Sequence, residues 1–76
     1  MLDRHSPARS ALHRAAAALR YAEVDFVHAL NEWQESTDEH RRIERGHLRR
    51  CIAAYRSAVD AARSAWRGVA REIGDL

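Results

Sequence analysis

Lysine is missing from this chain, because all thirteen of its basic residues are arginine. Arginine therefore stands where lysine would also serve, as in a chain from a GC-rich genome, and guanidinium geometry loses its force as an argument. One proline and three glycines supply almost no punctuation, which excludes a fold built from many short strands and turns. The single cysteine, Cys51, excludes an internal disulfide and a cysteine-based zinc site, and a reducing cytoplasm is the expected home. No uncharged run approaches membrane-spanning length, and Met1 to His5 carry charge and no apolar signal region. A soluble intracellular protein with no membrane partner is expected. There is no glycine-rich phosphate loop and no G-x-S-x-G elbow, so neither a small-molecule substrate nor catalysis is inferred.

What the chain has is helix-forming residues. Fifteen of its 76 residues are alanine, and nothing in the pattern competes with an all-α reading. Ser6 followed by Pro7 is a helix start, since serine caps free amides and proline at the first position gives up no needed hydrogen bond. The next break is Ser36-Thr37-Asp38-Glu39, where Ser36 and Glu39 have capping-box spacing. This predicts a single domain, a two-helix antiparallel hairpin. Helix 1 is expected at about 7–34, the turn at about 35–37 and helix 2 at about 38–73, with Gly74 as terminator. Helix 2 should then overhang by about two turns, at 1.5 Å rise per residue. Trp66, Val69 and Ile73 would be left for a partner to cover, unless Met1 and Leu2 fold back over them.

Each predicted helix carries two apolar lines. Leu12, Leu19, Phe26, Leu30 and Trp33 keep one face of helix 1, and Leu48, Ile52, Tyr55, Val59, Ala62, Trp66, Val69 and Ile73 keep one face of helix 2. Beside them run small residues: Ala8, Ala11, Ala15, Ala18, Ala22 and Ala29, then Cys51, Ala54, Ala58, Ala61, Ala65 and Gly68. A helix with one neighbour needs one apolar stripe, so two stripes of different size predict two neighbours for each helix. The expected assembly is a homodimer of hairpins forming a four-helix bundle, or a hairpin docked on another helical protein. Leu12, Leu19, Phe26, Trp33, Ile52, Tyr55, Val59, Trp66, Val69 and Ile73 are the expected interface.

Six metal-capable side chains fall in the half nearest the turn. Asp25, His28 and Glu32 share a stripe of helix 1, and His40, Glu44 and His47 share one of helix 2. A turn near residue 36 would set Asp25 opposite His47 and Glu32 opposite His40. Glu44-x-x-His47 has the Glu-x-x-His spacing that places a carboxylate and an imidazole one turn apart, with Asp25-x-x-His28 a variant of it. Over roughly residues 22–50 this resembles the ferritin-like proteins, particularly short encapsulated ferritins whose hairpins build a di-iron centre on dimerisation. The resemblance implies iron or another divalent metal held at a dimer interface, with Glu32 or Asp25 as the helix 1 carboxylate. The turn here is tighter than that family's. Salt bridges and hydrogen bonds at the wetter end of a bundle explain the same residues, and that reading, with no cofactor, comes first.

The net charge of +2 gives no general push toward nucleic acid. Its distribution is uneven. Asp38 to Ile73 holds nine arginines against five acids, and Ser6 to Glu35 holds three against four, so the halves are +4 and −1. Arg42, Arg49, Arg56 and Arg63 repeat every seven residues, with Arg45, Arg50, Arg67 and Arg71 nearby. A nucleic-acid-binding regulator would use this face, but no base-reading residues or helix-turn-helix frame accompany it. A solvated flank, partly neutralised by Glu23, Glu32 and Glu35 of a neighbouring helix, is the preferred reading. Trp66-Arg67-Gly68 spells W-x-G, but inside helix 2, whereas the helical hairpins of type VII secretion carry it in the turn. Trp33 and Trp66 are read as seam anchors. A non-enzymatic interaction module, an adaptor, chaperone-like subunit or small regulator, is the function expected.

Overall fold

The computed structural model describes residues 6–74. Within them the chain is two α-helices and no strand, α1 from Pro7 to Glu35 and α2 from Arg41 to Gly74, folded back on each other as a hairpin. α1 begins where Ser6 and Pro7 predict. The Ser6 hydroxyl accepts from the Arg9 amide at 3.5 Å, and its carbonyl accepts from the Ser10 amide at 3.0 Å. That hydroxyl also donates to the Glu72 carboxylate, which fastens the start of α1 to the last turn of α2.

The turn departs from expectation. Ser36 opens no capping box with Glu39; it closes α1, its amide and hydroxyl donating to the Trp33 carbonyl at 3.3 and 2.7 Å. A serine hydroxyl serves either as an acceptor for the amides ahead of it or as a donor to the carbonyls behind it, and here the second use wins. The Thr37 carbonyl then accepts from the amides of His40 and Arg41 at 3.1 and 2.9 Å, and α2 starts at Arg41 instead of residue 38.

The longer connection slides α2 along α1. A turn centred on residue 36 would set Ala8 opposite residue 64 and Ser6 opposite residue 66, yet Ala8 lies beside Gly68 and Ser6 beside Glu72. Val69 therefore does not overhang. It is buried, while Trp66 and Ile73 remain exposed at 54% and 57%. Met1 and Leu2, the alternative cover for this end, lie outside the described residues. At Gly68 an added Cβ would meet the Ala8 Cβ at 3.6 Å, an ordinary contact. Gly68→Ala is expected to stabilise the chain by about 0.5–1 kcal/mol, from helix propensity alone. A higher urea midpoint at unchanged slope would show it; a lower midpoint would mean the helices have no room for one methyl.

The molecule is a rod of 59 × 16 × 13 Å with a radius of gyration of 17.1 Å, where a compact chain of this length has about 11 Å. It exposes 6317 Å², against about 4,700 Å² for a typical folded monomer of its mass. The core is correspondingly thin. Ala29, Cys51 and Val69 are its buried apolar residues, and among the described residues no large side chain is fully buried.

Candidate interaction surface

The bulky line of each helix faces the other helix but is not closed over by it. Leu12, Leu19, Phe26, Trp33, Ile52, Tyr55 and Val59 are all half-buried. Phe26 and Tyr55 meet across the hairpin with ring centroids 5.7 Å apart and planes tilted by 50°. The Arg41 guanidinium lies over the Trp33 ring, 5.5 Å from its centroid, and the buried Trp33 Nε1 finds no acceptor among the described residues. Two layers of helix have no third element to finish the burial of these side chains.

The small line does something different. Because its side chains stop short, an open groove of about 480 Å³ remains between the helices along one side. Its floor is Ala18, Ala22, Cys51, Ala54 and Ala58. Tyr21 and Asp25 form the rim on α1, and His47 and Arg50 form it on α2.

The predicted metal ligands do not converge within one chain. Asp25 and His47 line the same groove, as expected. His28 pairs instead with Glu32 of its own helix, Nε2 to Oε1 at 2.9 Å. His40 stays in the turn, its Nδ1 3.0 Å from the Thr37 hydroxyl, and so is not drawn toward Glu32. Glu44 sits half-buried in the first turn of α2, and His47 Nε2 lies 3.8 Å from the Cys51 sulfur. Among the described residues no three His, Cys, Asp or Glu side chains gather to hold a metal ion. The slid register is the physical reason.

Arg42, Arg45, Arg49, Arg56, Arg63, Arg67 and Arg71 are all exposed, Arg56 and Arg63 beside the half-buried Tyr55 and Val59. Among the described residues none of them lies in an ion pair; the one pair present is His28 with Glu32. The acids of α1 thus do not neutralise the arginines of the same chain.

Two features escape a reading by seams. Tyr21 is exposed at the groove's rim, and Val24 and Val27 are exposed on the outside of α1, Val24 lying about 140° around the helix from the buried Ala29 at 100° per residue. With Glu23, His28 and Asn31, the two valines edge a shallow hollow of about 350 Å³. Ile43 is likewise exposed on α2. The spacing of three from Tyr21 through Val24 to Val27 was the available signal, but it lies off both lines. No helix among the described residues is long and apolar enough to cross a membrane. No family model matches the chain, and no curated protein or solved structure is significantly similar to it.

Proposed function

We propose that this chain is a non-enzymatic helical interaction module that is completed by self-association or by docking another helical protein. An adaptor, chaperone-like subunit or small regulator fits that description. The observation that carries the reading is the surplus of surface. The hairpin exposes roughly 1,600 Å² more than a compact monomer of its mass, and a partner in a standard interface contributes about 800 Å². Half-buried Leu, Ile, Phe, Tyr and Trp along one line of each helix, with the small residues that floor the groove, supply the apolar atoms that partners would bury. The simplest completion is a second hairpin, giving a four-helix bundle.

Folding linked to dimerisation depends on concentration. For two chains of 76 residues unfolding together, a hundredfold rise in concentration is expected to raise the thermal midpoint by about 8 °C. Thermal scans by circular dichroism read this directly. A midpoint that stays fixed over that range rules out the self-assembled bundle.

A further inference from the structure

Granting that the chain self-associates, we infer that the grooved side of the hairpin is the face that meets the second copy. The two-fold axis runs along the hairpin, so that each α1 lies against the partner's α2. The face is large enough. At 59 by 16 Å it offers roughly 900 Å² in projection, above the about 800 Å² that each partner gives to a standard interface.

Charge selects the occupant and the arrangement. α1 carries Arg9, Arg14 and Arg20 against Glu23, Asp25, Glu32 and Glu35, a net −1. α2 carries nine arginines against Glu44, Asp60 and Glu72, a net +6. Two hairpins stacked groove to groove have two possible two-fold axes in the plane between them. An axis across the hairpin lays α1 on α1 and α2 on α2, which sets +6 against +6. An axis along the hairpin lays each −1 helix on a +6 helix, and every neighbouring pair is antiparallel. Repulsion between like charges favours the second arrangement over the first, although Arg50 is the one arginine of α2 that lines the groove and the others act from a distance.

The rim repeats the choice locally. Asp25 and Arg50 stand on opposite rims of one groove, at the same level of the hairpin, and neither is in an ion pair among the described residues. An axis along the hairpin keeps the level and exchanges the rims. Each Asp25 carboxylate is thereby brought over the partner's Arg50, twice per dimer. The Tyr21 ring, on the same rim as Asp25, comes over the low ground at the partner's Ala54 and the partner's Ala58, as a knob over a hole. Alanines on the floor would admit almost any helix; the charges on the rim are what specify a second copy.

Sedimentation equilibrium of the full chain tests this. Asp25 and Arg50 are exposed, so Asp25→Arg and Arg50→Asp disturb no packing inside the hairpin and should keep the helical circular dichroism of the parent at concentrations where they are assembled. Each variant alone puts like charges together at two symmetric places and is expected to weaken the dimer at least about tenfold. An equal mixture of the two variants joins opposite charges at both places and should associate nearly as tightly as the parent. If the parent dimerises and either variant matches it, or if the mixture is not rescued, this face is wrong while self-association stands. A parent that is monomeric at every concentration removes both this inference and the self-association beneath it.

Discussion

Replacing Ala29 by aspartate is expected to leave the chain unfolded at micromolar concentration, with its helical circular dichroism lost. Ala29 is 0% exposed, and its methyl group sits where α1 presses on α2. A carboxylate there would be taken out of water, and an uncompensated buried charge costs about 3–5 kcal/mol. A chain of 76 residues has about 4–11 kcal/mol of stability in total, and one with so thin a core belongs near the bottom of that range. The same change at Ala53, exposed on α2, is the control. It should cost less than about 1 kcal/mol, mostly helix propensity. If the Ala29 variant keeps its helices as well as the Ala53 variant does, the two helices are not in contact where the structure places them.

Phe26→Ala is expected to cost about 2–3 kcal/mol in urea unfolding, below the value for a fully buried phenylalanine because this ring is half-buried. Tyr55→Ala should cost a similar amount. The rings touch at 5.7 Å between centroids, so the double variant should fall short of the sum by about 0.5–1.5 kcal/mol. Strict additivity would contradict the contact. The pair also fixes the register, since Phe26 reaches Tyr55 in the slid alignment that buries Val69.

The helices themselves were legible in the sequence. Ser6 and Pro7 mark a start that has one sensible use, and Phe26 and Tyr55 of the two bulky lines meet across the hairpin. The connection was not, because Ser36-x-x-Glu39 is compatible with an N-terminal cap and with a serine that folds back on α1, and only packing decides between them. That ambiguity spread along the chain. A turn a few residues early would give Val69 to a partner and set Glu32 opposite His40, whereas Val69 is buried and Glu32 holds His28. Asp25 and His47 share a groove in spite of the slide, because the groove's opening spans Ala18 to Asp25 on α1 and His47 to Ala58 on α2. Arg50 at that rim was hidden among the other arginines of α2, because periodicity separates faces but does not say which face meets the neighbour. Tyr21, Val24 and Val27 are silent in the sequence for the opposite reason, as exposed apolar residues outside any line long enough to read as a seam.

The most direct test of the claim that one hairpin cannot bury its own apolar surface is the helicity of the pure chain on dilution. Circular dichroism is followed from about 100 µM to about 0.1 µM, so that any assembly is taken apart by mass action. The helical signal is expected to fall as the assembly dissociates, because the released rod lacks a core able to hold it. A signal that stays full at the lowest concentration, from a species of 8.7 kDa, would contradict it.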